Sequence, residues 1–350
     1  MKSFYKDKKV LVTGSSGFVG SWLCMALNHL EANVHGISLL PNTNPSIFKV
    51  LKLEELIDQQ YIDINNRNEI SMAIQNISPD IVFHLAAQPL VRESYHHPLE
   101  TFNTNIIGAL NVLDSCSLLS STVNFISITT DKCYENNETG QRFIETDPMG
   151  GKDPYSASKA CTEIVTKSYA LSFNDQNNLK ICTARGGNII GGGDWSKDRI
   201  ITDIITSLTN KRDILLRSPN SIRPWQHVVD VIAGYLRLGV YNQKKDLIFD
   251  SFNFGPSKEN EINVMELSKM MIAAWKESNS SILVEKENRM PEAEILRLDS
   301  NKAKQKLNWK PAMSIEETIS NTSQWYRSFY NSPDGIFELT LEQISSYIDL

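Results

Sequence analysis

The sequence predicts an α/β fold, a doubly wound parallel sheet carrying a smaller C-terminal α/β lobe, and three observations predict it. A β-branched run at Lys9–Thr13 passes straight into glycines at 14, 17 and 20 and then into a helix-period pattern. Short apolar runs and helical segments alternate from there to residue 185, the order that lays parallel strands beneath crossover helices. Past residue 185 the chain turns glycine-rich and its elements shorten. Residues 1–185 are therefore expected to form the first domain. Residues 186–350 are expected to form mainly a substrate-binding lobe, interleaved with the first where the chain requires it, with a cleft between them.

Composition narrows the function. With 350 residues and 41% hydrophobic content the chain can bury a full core. A net charge of -6 and a pI near 5.6 argue against nucleic acid or an anionic membrane as the main partner. No apolar run approaches the roughly 20 residues of a membrane helix. The lysine-rich start runs directly into a strand rather than a signal-peptide pattern, so a cytoplasmic protein is expected. Cys24, Cys116, Cys133, Cys161 and Cys182 lack paired spacing, which speaks against disulfides and a zinc site, and no metal is expected.

The elements follow in order. Gly14-Ser15-Ser16-Gly17-Phe18-Val19-Gly20 forms a turn between the first strand and a helix carrying Trp22, Leu23, Ala26, Leu27 and Leu30. Glycine lets the backbone turn tightly and approach a pyrophosphate, and the helix start offers free N–H groups. This is the context of a Rossmann-like dinucleotide site, spaced G-x-x-G-x-x-G, with Gly14, Gly17, Phe18, Val19 and Gly20 as cofactor candidates. Residues 33–39 read as the second strand. They end in Ser38-Leu39-Leu40-Pro41, with neither the acidic residue that favours NAD nor an arginine for NADP. Residues 61–64 read as a third strand whose Asp63 and Ile64 meet the adenine edge, with a solvated strand end as the alternative. Residues 80–85 read as the fourth, and Leu85-Ala86-Ala87 let backbone approach the ligand. A helix over 98–119, a buried strand over 123–128, a helix from Tyr155 to about 173 and a strand over 179–184 complete the first domain.

Beyond Arg185, residues 186–195 read as a loop wrapping a ligand. A helix over 200–208, a strand at Ile214–Leu216, and a segment 222–230 leading into another helix follow. Val264–Trp275 reads as a helix, Ile282–Val284 as a strand, and Asn301–Leu307 and 315–330 as the final helices. His227 reads as a structural hydrogen-bonder.

The chemistry concentrates in Thr129-Thr130-Asp131-Lys132-Cys133-Tyr134 and in Tyr155-x-x-x-Lys159. Four residues apart, Tyr155 and Lys159 share one helix face. A lysine ammonium beside a phenol favours phenolate and lowers its pKa from about 10, giving a base for a sugar hydroxyl while a nicotinamide takes hydride.

Glycine fingerprint, strand-end Thr130 and Tyr-x-x-x-Lys in this order resemble the extended short-chain dehydrogenase/reductase superfamily of nucleotide-sugar enzymes over essentially the whole chain. Thr130-Asp131-Lys132-Cys133-Tyr134, the strings Asp-Pro-Met-Gly-Gly-Lys-Asp-Pro-Tyr-Ser (147–156), Gly-Asn-Ile-Ile-Gly-Gly-Gly-Asp-Trp (187–195) and Ile-Arg-Pro-Trp-Gln-His-Val (222–228) look like the CDP-glucose 4,6-dehydratase family. Gln88-Pro89-Leu90-Val91-Arg92 and Thr43-Asn44-Pro45-Ser46 look similar to it too.

That resemblance implies a redox-neutral lyase of deoxysugar biosynthesis, such as that supplying lipopolysaccharide O-antigen, using NAD and working as a homodimer. It implies Tyr155 as base at C4, Lys159 on the cofactor ribose, Lys132 as base at C5, and Asp131, supported by Thr130, as acid at the C6 hydroxyl. At the nucleotide sugar it places Gln88, Arg92, Thr130, Asn188, Asp194, Trp195, Arg199 and, for the ribose, Glu292. Arg223 is expected to clamp the diphosphate, since guanidinium pairs bidentately with phosphate.

The run Asn137-Glu138-Thr139-Gly140-Gln141-Arg142-Phe143 departs from the family, which often carries tryptophans there, and Thr202 stands where a proline is common. A GDP-, UDP- or dTDP-hexose as substrate stays open. So does a superfamily epimerase or reductase, which would use Tyr155 and Lys159 without needing Asp131, or a non-catalytic nucleotide-sugar binding protein.

Overall fold

A computed structural model describes residues 1–173, 178–243, 247–276, 280–285 and 293–348. Six strands follow the predicted alternation: β1 (Lys9–Thr13), β2 (Asn33–Ser38), β3 (Asp58–Tyr61), β4 (Ile81–His84), β5 (Val123–Thr130) and β6 (Leu179–Gly186). They pair in parallel in the order β6-β5-β4-β1-β2-β3. Every residue of β4 and β5 is buried, as expected of parallel strands covered on both faces.

A seventh parallel strand, Phe249–Phe254, adds to β6 with Phe254 opposite Gly186. It comes from beyond residue 185, so the central sheet draws on both halves of the chain. Sequence reading missed it because Phe249-Asp250-Ser251-Phe252-Asn253-Phe254 alternates without a continuous apolar run. The third strand also lies earlier than expected, at Asp58–Tyr61 rather than 61–64. As an edge strand of Asp-Gln-Gln-Tyr it carries no apolar signature. Asp63 and Ile64 therefore fall in the loop beyond its carboxyl end.

Helices Phe18–His29 and Val228–Tyr241 cover one face of the sheet in the larger apolar core. Arg67–Ile77, Ala109–Ser117 and Pro154–Phe173 cover the other. The helix expected over 98–119 is Pro98–Phe102 and Ala109–Ser117 joined by a π-helical stretch, Asn103–Gly108. A Cβ on Gly108 would stand 2.6 Å from Ile64 Cδ1, so the wide turn seats a glycine against the loop carrying Asp63 and Ile64. Within that turn Asn105 donates to the Gln88 carbonyl and to Ser158 Oγ, tying this helix to the one bearing Tyr155.

The smaller lobe holds a three-stranded sheet ordered Glu261–Asn263, Ile222–His227, Asn188–Ile190, and a parallel pair, Ile214–Leu216 with Ile282–Val284. Residues 186–195 are thus not loop throughout: β6 runs to Gly186, and Asn188–Ile190 pairs with Trp225–His227. Their small side chains serve packing, since a Cβ on Gly192 would lie 2.1 Å from Trp325. Asn263/Glu266 and Ser314/Glu317 form capping boxes that start the helices Val264–Trp275 and Ile315–Asn331. A further helix that sequence reading left out, Ile336–Ile348, packs on Phe18–His29 and Val228–Tyr241.

Candidate active site

One cavity of about 700 Å³ opens over the carboxyl ends of the strands, where doubly wound sheets bind ligands. Gly14, at φ +75°, makes the turn out of β1, and a Cβ there would lie 2.8 Å from Ala86 N. A Cβ on Gly20 would meet Gly14 O at 2.1 Å, so glycine alone lets the Phe18–His29 helix start this close to the strand end. Gly17, Phe18 and Val19 complete that wall, and Leu85, Ala86 and Ala87 the next. Asp63 and Ile64 also line the cavity, with Asp63 Oδ1 accepting from Asn65 N across its own turn. This cradle of close backbone and helix N-terminus fits a dinucleotide.

At the catalytic end, Asp153 accepts from Ser156 N and Pro154 opens the helix that presents Tyr155 and Lys159. Both line the cavity, along with Thr130 and Lys132. Thr130 Oγ1 donates to Asp131 Oδ1 (3.0 Å) and accepts from Lys132 N (3.3 Å). Lys132 Nζ lies 3.5 Å from Asp131 Oδ1 and 3.5 Å from Asn188 Oδ1, joining the end of β5 to the smaller lobe. Asp131 is buried beneath this edge, and its Oδ2 has no hydrogen-bond partner among the described residues.

Electrostatics alter one expectation. Burial pushes the Tyr155 hydroxyl up to about 12, against the Thr130 hydrogen bond and the Arg199 charge that pull it down. Burial also pulls Lys159 down to about 8, with Glu163 opposing, and its ammonium donates to Ile128 O at 3.2 Å. The expected depression of the phenol by Lys159 is thus absent here. Burial disfavours both charged forms, and Arg199 supplies the cationic pull.

Behind this end lie residues that sequence reading missed. Glu163, four residues beyond Lys159, accepts from Thr129 Oγ1, from Thr183 Oγ1 (2.8 Å) and from Arg185 (2.8 Å). Arg185 also donates to Tyr134 OH and to the Glu145 carbonyl. Burial works against the Arg185 charge, and Glu163 more than restores it. The helical step 155, 159, 163 was the available signal for Glu163; Arg185 carried none.

Toward the nucleotide end, Asn188, Asp194, Trp195, Arg199 and Arg223 line the cavity. Arg223 is buried and donates to the carbonyls of Ile222 and Glu294. Asp194 Oδ2 lies 3.7 Å from Arg199 Nε, while its Oδ1 accepts from Ser196 N. Trp195 is wedged among Trp325, Tyr326 and Phe329. Arg92 bridges to Asp198, which also pairs with Arg217, and Arg217 reaches Asp203. Sequence reading had none of Asp198, Asp203 or Arg217, which sit in no motif.

Gln88 departs from expectation. Its side chain donates to Leu90 O and Thr101 Oγ1 and accepts from Leu90 N, holding its own loop rather than lining the cavity. Glu292 lies outside the described residues. His227 is structural as read: its Nδ1 accepts from Val229 N, and burial lowers its pKa to about 3.

Known proteins match this chain in sequence and in fold. The family described as GDP-mannose 4,6 dehydratase matches residues 11–322. A CDP-glucose 4,6-dehydratase of Salmonella typhimurium is 37% identical over 99% of this chain and 98% of its own. Among solved structures, an epimerase of Methanothermobacter thermautotrophicus superposes with TM-score 0.82 at 23% identity, covering 95% of this chain and 96% of that one. A dTDP-glucose 4,6-dehydratase of Bacillus anthracis, solved in complex with NAD, gives 0.76 at 20% identity, over 92% and 97%. With a family match over most of its length and a full-length relative above 30% identity, the chain belongs to the GDP-mannose 4,6 dehydratase family, nucleotide-sugar enzymes of the extended short-chain dehydrogenase/reductase superfamily.

Proposed function

We propose that this NAD-dependent hydro-lyase converts CDP-D-glucose to CDP-4-dehydro-6-deoxy-D-glucose. The observation that carries the dehydratase reading is the pair Asp131–Lys132 beside Thr130: Lys132 lines the cavity, its Nζ 3.5 Å from both Asp131 and Asn188, and Asp131 is buried directly beneath that lining. An epimerase or reductase needs Tyr155 and Lys159 but has no use for a second acid and base. The CDP-glucose assignment rests on the full-length Salmonella relative and on the resemblance of residues 130–134, 147–156, 187–195 and 222–228 to the CDP-glucose 4,6-dehydratase family.

The glycine cradle would hold the pyrophosphate of NAD, and Lys159 its nicotinamide ribose. Bound there, NAD would supply the hydride acceptor for C4 of the sugar and the hydride donor for C6, with no net redox change. Tyr155 would take the C4 hydroxyl proton as phenolate, a form that burial alone disfavours and that the positive charge of bound NAD would restore. The resulting ketone acidifies C5, from which Lys132 removes a proton. Asp131 delivers a proton through its unpartnered Oδ2 to the hydroxyl leaving C6. Arg223 and Asn188 hold the diphosphate, and Arg92, Asp194, Trp195 and Arg199 line the path to the nucleoside.

No helix among the described residues is long and apolar enough to cross a membrane, and we assign the enzyme to the cytoplasm. Leu99 (84% exposed) on one helix, with Ile164 and Leu171 on Pro154–Phe173, offers apolar surface for pairing with a second copy, and a homodimer is expected.

Incubation with CDP-glucose tests the reading. The expected product has lost one water and develops the alkaline absorbance of a 4-keto sugar, with no net accumulation of reduced nicotinamide. Turnover of a UDP-, GDP- or dTDP-hexose instead would overturn the nucleotide and keep the lyase. Asp131→Asn should oxidise C4 yet retain the C6 hydroxyl; water loss at the unsubstituted rate would sink the acid assignment.

A further inference from the structure

Tyr235 is fully buried on the Val228–Tyr241 helix, lines the cavity, and has a hydroxyl with no hydrogen-bond partner among the described residues. A buried hydroxyl left unpaired is costly, so such a group persists where something else pairs with it. Its position is defined. A Cβ on Gly186 would lie 3.0 Å from the Tyr235 hydroxyl oxygen, and Gly186 is the direct neighbour of Thr130 in the β5–β6 register. The phenol therefore reaches the sheet at the strand end that carries the proposed acid. Its ring is held edge-on against Phe254, at 5.6 Å and 86°, on the strand flanking Gly186 from the other side.

Two buried, unpartnered polar atoms thus belong to this one corner: the Tyr235 hydroxyl and Asp131 Oδ2. One is a donor and the other carries the proton for the leaving group. A single sugar hydroxyl between them would satisfy both. We propose that Tyr235 is a further catalytic residue, whose hydroxyl donates a hydrogen bond to the C6 hydroxyl of the hexose while Asp131 protonates it.

The step balances. Lys132 takes the C5 proton, the C5–H electron pair becomes the C5=C6 double bond, and the C6–O bond breaks. Asp131 gives its proton to the departing oxygen, which leaves as water, and Tyr235 keeps its own. Burial, with Tyr155 and Asp131 nearby, raises the Tyr235 pKa far above that of a free phenol, so it acts as a donor throughout. The bond strengthens as charge gathers on the leaving oxygen, which is the condition for speeding the step rather than merely binding substrate. This assignment rests on the dehydratase reading, but on the sugar end alone, so it holds whichever nucleotide the enzyme prefers.

Tyr235→Phe tests it. Because the hydroxyl has no partner among the described residues, the variant should fold with an unchanged or higher Tm. With whichever nucleoside diphosphate hexose the unsubstituted enzyme dehydrates, kcat for water loss should fall at least about tenfold with KM within about twofold. C4-oxidised sugar that retains its C6 hydroxyl should accumulate. Gly186→Ala, whose methyl crowds the hydroxyl aside without removing it, should give the same selective loss. Unchanged kcat in the phenylalanine variant, or a loss confined to KM, overturns the proposal. If the unsubstituted enzyme releases no water from any such sugar, it is the dehydratase reading that falls.

Discussion

Two ion-pair clusters flank the cavity, one on its wall and one behind it, and they differ in burial. Glu163 and Arg185 behind the catalytic end have side chains 1% and 3% exposed, whereas Asp198 and Arg217 at the nucleotide end stand at 38% and 31%. The buried pair is held by protein groups: Glu163 by Thr129, Thr183 and Arg185, and Arg185 by Tyr134 and Glu145 as well, with only Arg185 Nε of the pair left without a partner among the described residues. It fixes the ends of β5 and β6, and with them Ile128 O, Thr130 and Gly186. The outer pair lies in water, where exchanging one anionic partner for another costs little. One end of the cavity is set before substrate arrives; the other has charges that a nucleotide can rearrange.

Four substitutions break or sharpen that contrast, from the largest effect to the smallest. Tyr155→Phe removes the proposed base at the preset end, and product formation from CDP-glucose should fall roughly 10²–10⁴-fold with little change in thermal stability. Glu163→Ala strands the Arg185 charge in the interior. Urea unfolding should register a loss of about 3–5 kcal/mol, and a loss below about 1 kcal/mol would show that the catalytic end is not held by this pair.

Lys159→Met should inactivate the enzyme yet stabilise it near neutral pH. Folding lowers the lysine from its ordinary 10.5 to about 8, a cost on the order of 3 kcal/mol to the charged form. Between pH 8 and 10.5 the unfolded chain binds the extra proton, so the stability of the unsubstituted protein rises with pH and the advantage of the methionine variant shrinks. Unfolding free energies at pH 7 and pH 10 would reveal it, and an advantage that does not decline would refute the buried-ammonium cost. Asp198→Asn, last, should change stability by less than about 1 kcal/mol while altering KM for the nucleotide sugar by a few-fold at low salt. A stability loss matching that of Glu163→Ala would erase the distinction between the two ends.

Much of the fold was legible because its signals are local. Lys9–Thr13, Ile214–Leu216, Val264–Trp275, Ile282–Val284 and Asn301–Leu307 appear with the limits that periodicity gave. Within the central sheet, the strand that shifted, Asp58–Tyr61, and the one missed, Phe249–Phe254, are the two edge strands; the three short strands Asn188–Ile190, Ile222–His227 and Glu261–Asn263 of the smaller sheet were not read as strands either. A strand paired on one side need not carry the continuous apolar run that marks a buried one. Gln88 illustrates a second limit. Its string resembled a substrate motif, yet the side chain turns inward to Leu90 and Thr101, a choice made by the neighbouring helix rather than by the string.

The sequence by itself determined the glycine turn, the strand-end Thr130-Asp131-Lys132 and the Tyr155/Lys159 face, because each is a spacing of a few residues on one regular element. Only the tertiary structure decided what surrounds them. Lys132 meets Asn188 across 56 residues of chain, and Glu163 meets Thr129 across 34. Tyr235 comes to lie beside Gly186 because the Val228–Tyr241 helix packs on the sheet face above it. Such contacts follow from which faces are buried together, and burial then decides which groups hold their charge and which hydroxyl is left without a partner among the described residues.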